Sequence, residues 1–313
     1  MATPYVTPRM LTNTPTGVAW STIPALKATT QEQLAEQTNI CWRATGMVDT
    51  FCDQVLRATV DNEQLTGPGG PRVGVQQGSC NGELIMRRWP VTQALAVQTS
   101  PNATFPRVWS AVPSGKFEVG HPLINMYTDS ASATMPEGAQ SILVAPGYIT
   151  WRLGRNGYRI LVSYVNGWPH ASLTAAAAAA ATTLQVDDVT GFTGASAFVY
   201  DGAETEPVAV TSVSATSPLS LPNGVGVAQT GPGTLTLAAP LANPHQAGVV
   251  VSALPPNVIW GTVYFAVAQA LTRGATATAV QSISSSSAGG APSNTDDYNK
   301  LAQGMLQSFR RVI

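Results

Sequence analysis

Charge is scarce in this sequence. Asp, Glu, Lys and Arg make up 11% of its 313 residues, whereas an ordinary domain carries about a quarter, and the net charge is −1. This balance excludes an overall electrostatic attraction to nucleic acid or to an anionic membrane. Molecules with so few charges repel one another weakly, so the composition favours a protein that packs against copies of itself.

Cysteine is scarce as well, and the three cysteines are Cys41, Cys52 and Cys80. The absence of CxxC and of any Cys/His cluster excludes the common zinc motifs. Cys41 and Cys52 are separated by about three turns of one helix, roughly 16 Å along its axis, which is too far for a disulfide. We expect buried thiols in a reducing compartment.

Long apolar runs are also missing. The N-terminal stretch lacks the apolar core of a signal peptide. No other segment reaches the roughly 18 apolar residues of a membrane span. We therefore expect no membrane partner, and a protein that is made in a cytoplasm and leaves it only as part of a particle.

Enzyme motifs are absent in the same way: the sequence has no GxSxG, no P-loop and no GxGxxG after a strand. Its paired carboxylates are interpreted as solvated turn or helix-cap residues, because adjacent strand residues point to opposite faces and a helix N-terminus attracts acidic side chains. They are Asp187-Asp188, Glu204/Glu206 and Asp296-Asp297.

The three histidines, His121, His170 and His245, each adjoin a proline and have no partner at HxH or HxxxH spacing. This context predicts surface or turn histidines. The sequence therefore predicts no catalytic residue, no metal site and no cofactor, and it favours a protein that is not an enzyme.

The N-terminal segment of the sequence is predicted to be an extended arm. Residues 1–28 contain four prolines, a density that blocks helix formation and favours an extended chain. The arm carries Tyr5 and Trp20, and large apolar residues on an irregular arm are expected to dock on the same subunit or on the next one.

Three helices are predicted. Thr29 and Glu32 form a capping box that starts a helix over about 29–59, which has one apolar stripe. Prolines at the start and Arg-Gly at the end delimit a second helix over 256–273. A third helix, over 294–312, has acidic residues in its first turn.

The remaining segments have β patterns. Strands are expected between 82 and 165, with a hairpin at Asn156-Gly157. Residues 171–253 begin with a linker that contains a seven-alanine string, and from Thr183 short strands alternate with turn signals. This segment is interpreted as a guest domain inserted into a host core of 29–170 and 254–313. The expected fold class is α+β: a helical core with a β-hairpin or sheet region and an inserted small all-β domain, a sandwich or a barrel.

Several stretches of the sequence together resemble a known protein family. The arm YVTPRMLTNTPTGVAWSTIP, the strand WPVTQALAVQ, the run LVSYVNGWP and the late helix PPNVIWGTVYFAVAQALTRG resemble head-to-tail connector (adaptor) proteins of long-tailed bacteriophages. In that family a strand ending in a Tyr-x-x-Gly-Trp/Tyr-Pro turn leads to a helix that starts near a proline. The matching residues are Tyr164, Gly167, Trp168, Pro169 and Pro256.

The resemblance implies a structural virion protein that forms a homo-oligomeric, dodecameric ring below the portal, joins head to tail and extends the DNA channel. The implied partners are other copies of the chain, the portal protein, the next neck or tail-completion protein and, transiently, phage DNA in the channel. The implied location is the neck of the virion, after assembly in the host cytoplasm. The inserted β domain is a departure from a minimal connector.

In such proteins the C-terminal segment reaches the portal, so residues 293–313 are expected to face it. In a ring, Arg87-Arg88 and Arg310-Arg311 would become bands of positive charge facing DNA or an acidic partner, although a helix C-terminus alone also accounts for Arg310-Arg311. The expected portal or subunit interface comprises Tyr5, Trp20, Tyr298, Leu301, Met305, Phe309, Arg310 and Arg311.

Two alternatives stay open. The first is a phage tail or fibre component whose β module binds a host-surface ligand. It needs exposed aromatic platforms, and segment 171–253 contains no Trp. The second is a hydrolase with an accessory β domain, for which the sequence offers no nucleophile and base pair.

Overall fold

The structure is a computed structural model. It describes residues 3–14, 16–20, 23, 29–66, 73–75, 82–101, 106–119, 141–144, 158–275 and 295–310. The expected hairpin at Asn156-Gly157 lies outside these residues, as do Cys80, His121 and Arg311.

Four α-helices occur within the described ranges. Thr29 caps the long second helix, and its side chain accepts a hydrogen bond from the Glu32 N–H, as the capping box predicted. The helices are α1 (Pro8–Asn13), α2 (Thr30–Cys52), α3 (Pro256–Thr272) and α4 (Thr295–Leu306), and α4 continues into a 3₁₀ turn, Gln307–Phe309.

Sixteen strands account for most of the regular structure that is described. They are β1 (Thr59–Thr66), β2 (Val73–Val75), β3 (Gly82–Ile85), β4 (Val91–Pro101), β5 (Ser110–Ala111), β6 (Phe117–Val119), β7 (Ser141–Val144), β8 (Tyr158–Asn166), β9 (His170–Ser172), β10 (Thr183–Val186), β11 (Ser196–Tyr200), β12 (Glu206–Ala215), β13 (Leu219–Ser220), β14 (Val227–Ala228), β15 (Gly233–Leu237) and β16 (Val250–Ser252).

These strands form three larger sheets and one two-stranded ribbon. The larger sheets have the orders β1-β8-β4-β5, β2-β3-β7-β6 and β10-β15-β12-β11-β16-β9, and the ribbon is β13-β14. In the six-stranded sheet the two edges approach each other, because Leu173 bridges Val186 and the Thr174 N–H donates to the Gln185 carbonyl at 2.9 Å. This sheet therefore curls into a half-barrel.

The expected fold class, a helical core with a small inserted β domain, is wrong. The described chain is mostly β-sheet, with four helices beside three larger sheets. Strand pairing over long sequence distances is the reason, since Asn166 pairs with both Thr59 and Val91 and such pairing leaves no local pattern. The long helix also ends early, at Cys52, where Asp53 adopts a left-handed φ of 53°.

The expected division into an arm, a host core and an inserted segment 171–253 stays a prediction. The core of the half-barrel comprises residues from Ala171 to Val251. The β13-β14 ribbon contacts the β1-β8-β4-β5 sheet through a small apolar cluster of Ala96, Leu221 and Ala228. In the same contact the Gln98 side chain donates to the Pro222 carbonyl at 3.1 Å and accepts from the Asn223 side chain at 2.8 Å.

The helices share one hydrophobic core with the N-terminal arm. Helix α3 is apolar on nearly all sides and packs against α2 and α4. Gly261 permits a close approach of α3 to α4, because a Cβ there would lie 2.8 Å from Cγ of Leu306. The arm contributes Tyr5 and Trp20, which are 0% and 4% exposed.

Tyr5 anchors the arm to the end of α2. Its N–H donates to the Thr45 hydroxyl, its own hydroxyl donates to Asp49, and that same hydroxyl accepts from the Leu56 N–H at 2.8 Å. Burial, with the Asp49 carboxylate as a smaller cause, raises the pKa of Tyr5, and burial also raises the pKa of Asp49.

Candidate functional site

The turn that carries the family resemblance lies where several elements meet. Gly167 has a φ of +83°, and a Cβ there would lie 2.4 Å from the Arg57 carbonyl oxygen, so the position requires glycine. The Trp168 N–H donates to the Leu56 carbonyl at 2.9 Å, and the Trp168 carbonyl accepts from the Ala58 N–H at 2.7 Å. The turn therefore joins β8 to the chain that leaves α2.

A candidate interaction surface lies on α3 and α4. The rings of Trp260 and Tyr264 have centroids 6.0 Å apart, and the rings of Tyr264 and Tyr298 are also 6.0 Å apart. Leu301 lies one helical turn after Tyr298 and is 40% exposed, and Trp260 is 39% exposed. These four residues form one continuous apolar surface, called here the aromatic strip.

An open groove adjoins one end of the strip. Its volume is about 200 Å³, and three parts of the molecule contribute to it: α1, the half-barrel and α3. On the half-barrel, the ring of Tyr200 packs against that of Phe198, with centroids 6.0 Å apart, and Phe198 is 47% exposed. The lining residues are Met10, Asn13, Thr14, Tyr200, Gly202, Thr205, Ile259, Trp260 and Val263.

The residues expected at an interface fall into two groups. Tyr5 and Trp20 lie in the chain's own core, so in this structure they contact the same subunit. The others lie on or near the surface of the C-terminal segment: Tyr298, Met305 and Phe309 are half-buried, and Leu301 and Arg310 are exposed. Arg311 lies outside the described residues.

Sequence reasoning missed half of the aromatic strip. Trp260 and Tyr264 lie in the predicted second helix at i and i+4, a spacing that places both rings on one face. This spacing can be recognised in the sequence, whereas the contact of Tyr264 with Tyr298 depends on the packing of α3 against α4.

A charged cluster lies beside the groove. His245 is 1% exposed, and its Nδ1 is 3.0 Å from Asp201 Oδ2 while its Nε2 is 2.8 Å from Glu206 Oε1. Arg9 of α1 pairs with the other carboxylate oxygen of Asp201. Both ring nitrogens of His245 therefore face carboxylate oxygens.

This cluster also contains a possible ligand set for a metal. Asp201, Glu204 and His245 each offer one atom, and these atoms lie within 4.8 Å of one another. The set does not fit a metal well, because both nitrogens of His245 face carboxylate oxygens and Arg9 occupies Asp201. The cluster instead joins the arm to the half-barrel.

Glu206 is held by three donors. The N–H groups of Ala242 and Asn243 donate to it at 2.8 and 3.0 Å, in addition to His245. Burial opposes ionisation of this carboxyl, but the hydrogen bonds from these groups outweigh it and lower the pKa of Glu206. Its role in the described structure is thus to hold a turn.

The other described histidine is also internal. His170 Nε2 lies 2.9 Å from the Pro4 carbonyl, and its Nδ1 lies 2.9 Å from the Ser252 hydroxyl. A neutral ring with the proton on Nε2 satisfies both contacts, and burial lowers the pKa of His170 to about 4. The sequence predicted surface or turn histidines, and neither His170 nor His245 lies at the surface, because both are buried.

Cys41 and Cys52 are buried and unpaired, as the spacing predicted. Burial raises the pKa of each thiol to about 12. Neither thiol is therefore activated as a nucleophile.

Comparison of the chain with protein-family models, with curated proteins and with solved structures found no match. Among the residues that the structure describes, no helix combines the length and the apolar character needed to cross a bilayer.

Proposed function

We propose that this protein is a structural subunit of a homo-oligomeric ring in the neck of a tailed bacteriophage. The ring joins the head to the tail and extends the DNA channel, and its partners are the portal protein and the next neck or tail-completion protein. The observation that carries the assembly part of this proposal is the aromatic strip, an apolar surface at which Trp260 and Leu301 are 39% and 40% exposed.

The strip has the chemistry of a subunit interface. Contiguous exposed apolar surface, and Trp and Tyr in particular, mark protein contacts, because large rigid rings bury much area at little entropic cost. The low charge of the chain supports the same conclusion, since little repulsion opposes close packing of copies.

The C-terminal segment is the proposed contact with the portal. Phe309 packs against Trp168, and the Arg310 guanidinium lies 5.7 Å from the centre of the Phe51 ring. These contacts hold the end of the described chain against the turn at Gly167 and Trp168, and Arg310 is exposed. The phage context itself comes from the resemblance of that turn and its neighbours to head-to-tail connectors.

The proposal is tested by the mass of the purified protein in solution and by electron microscopy, alone and mixed with a phage portal. We expect rings, or a collar below the portal. The double variant Trp260→Ser/Leu301→Ser should abolish them. Leu34→Ser/Trp42→Ser is the matched control, since these α2 residues are 53% and 38% exposed but lie outside the strip.

Monomers that ignore the portal would overturn the proposed function. If the Trp260→Ser/Leu301→Ser variant still forms rings and the Leu34→Ser/Trp42→Ser control does not, the ring is supported and the role of the aromatic strip is overturned.

A further inference from the structure

The groove that α1, the half-barrel and α3 line is continuous with the aromatic strip. Trp260 lines the groove and also belongs to the strip, so a neighbouring copy that covers the strip covers the opening of the groove as well. Beside Trp260, the apolar part of the lining comes from Met10, Ile259 and Val263. The groove therefore belongs to the same surface that the proposed function assigns to contact between subunits.

A neighbour that covers this groove has to fill it. The volume of the groove is about 200 Å³, whereas one water molecule takes up about 30 Å³. The cores of protein interfaces are packed as densely as protein interiors, and an unfilled apolar space loses the dispersion contacts of its lining. The side chain that enters the groove is therefore expected to be large and apolar.

In a ring, this side chain comes from a different surface of the same chain. Subunits of a ring of more than two copies contact head to tail, so each presents one surface to one neighbour and a second, different surface to the other. Outside the strip, the exposed large apolar side chains of the described residues are Leu34, Trp42, Val108, Phe198, Leu219 and Val227.

Charge disfavours the candidates on α2 and beside β5. Leu34 and Trp42 lie on α2 among charged side chains, of which Arg43 is exposed, and Val108 directly follows the exposed Arg107. An interface over these residues would remove charges from water, and that costs free energy unless each charge finds a partner.

The candidates on the half-barrel carry no such cost. Phe198 packs against Tyr200, which lines the groove, so it belongs to the receiving side. Leu219 and Val227 lie on the two strands of the β13-β14 ribbon, and residues 207–244 contain no Asp, Glu, Lys or Arg. The ribbon is therefore the exposed apolar element that can be buried without removing a charge from water.

The ribbon and the groove lie at opposite ends of β12. This strand begins at Glu206, directly after the groove residue Thr205, and ends at Ala215, shortly before Leu219. Its ten residues span about 30 Å. This separation keeps a ribbon away from its own groove and is the arrangement that a head-to-tail contact requires.

We propose that the β13-β14 ribbon of each subunit binds the groove of the next subunit, with Val227, which is 56% exposed, as the side chain that enters it. This contact rests on the proposed function, because it supplies the second surface of the ring interface. It also gives the half-barrel a role, since the receiving surface lies at one end of β12 and the inserting surface at the other.

The first test removes the inserting side chains. Leu219→Ser/Val227→Ser should lower the fraction of protein in rings about tenfold or more, measured by mass in solution and by electron microscopy. Its unfolding midpoint should match that of the wild-type protein, because both side chains are exposed. Leu34→Ser/Trp42→Ser also removes two exposed apolar side chains, but outside this contact, and should keep the rings.

The second test joins the two surfaces chemically. In Asn13→Cys/Val227→Cys, a short bis-maleimide should link neighbouring subunits into a ladder of covalent oligomers, because Asn13 lines the groove. Asn13→Cys/Val108→Cys is the control and should give no ladder. Burial raises the pKa of Cys41 and Cys52 to about 12, so these thiols react slowly, and the single variants measure any reaction of the natural cysteines.

The two tests separate this contact from the ring itself. Rings in the ribbon variant, or a ladder from Val227 no stronger than that from Val108, would overturn the ribbon as the inserting element and leave the ring in place. Wild-type protein that forms no rings would overturn the proposed function.

Discussion

Trp168 and Phe309 meet edge to face, with ring centroids 5.5 Å apart and ring planes at 81°. The Trp168 ring also contacts Trp89, with centroids 6.4 Å apart. The Gln54 side chain donates to the Phe309 carbonyl at 3.3 Å. The C-terminal segment is therefore fastened to the turn that also joins β8 to the exit of α2.

This relationship predicts that Phe309→Ala destabilises the protein. Loss of one half-buried ring and its edge-to-face contact should lower the free energy of unfolding by about 2 kcal/mol. The measurement is chemical denaturation followed by tryptophan fluorescence. Gln307→Ala, an exposed residue of the same segment, is the control and should stay within about 0.5 kcal/mol of the wild-type protein. Equal effects of the two variants would contradict the fastening.

Gly167→Ala should lower the free energy of unfolding more than Phe309→Ala does. The added methyl group would meet the Arg57 carbonyl oxygen at 2.4 Å, and φ is +83°, so both a clash and backbone strain oppose it. We expect a loss of about 3 kcal/mol in the free energy of unfolding.

The matched control for that variant is Gly194→Ala. Its φ is also positive, at +71°, but nothing lies within 4 Å of the added methyl group, so only the strain of about 1 kcal/mol remains. If the two variants unfold at the same denaturant concentration, the close approach at Gly167 does not hold the turn.

Local sequence patterns predict α2, α3 and α4, because their signals lie within a few residues, but they miss α1, which starts at Pro8 inside the arm that was expected to be extended. The Thr29 cap and the prolines before α3 mark real helix starts. The sheets leave no such trace, since each strand finds partners across long distances, as Thr59 does with Asn166.

The candidate sites divide in the same way. Tyr298 and Leu301 can be predicted from the apolar stripe of the last helix, but their partner Trp260 requires the packing of α3 on α4.

The buried His170 predicts a specific dependence of stability on pH. Its pKa falls from 6.5 to about 4 on folding, so between these values the unfolded chain binds a proton that the folded chain does not. Stability contributed by the neutral ring is therefore complete above about pH 6.5 and declines as the pH falls to about 4, by about 3 kcal/mol in total.

The check on that prediction is the difference between wild-type protein and His170→Gln in urea unfolding from pH 4 to pH 7. Glutamine can still donate to Pro4 and accept from Ser252, but it does not titrate. The variant should lose stability less steeply as the pH falls. Parallel curves would show that His170 keeps an ordinary pKa in the folded protein.

The cluster around His245 distinguishes a charge network from a metal site. Glu206 accepts hydrogen bonds from His245, Ala242 and Asn243, so Glu206→Gln should lower the free energy of unfolding by about 2 kcal/mol. Glu204 is exposed and belongs only to the possible ligand set, so Glu204→Gln should change stability by less than about 0.5 kcal/mol.

Both variants are measured by urea unfolding with and without added Zn²⁺. A midpoint that rises with Zn²⁺ in the wild-type protein and in Glu206→Gln, but not in Glu204→Gln, would mean that the cluster binds metal, because only a true ligand set makes stability depend on the ion.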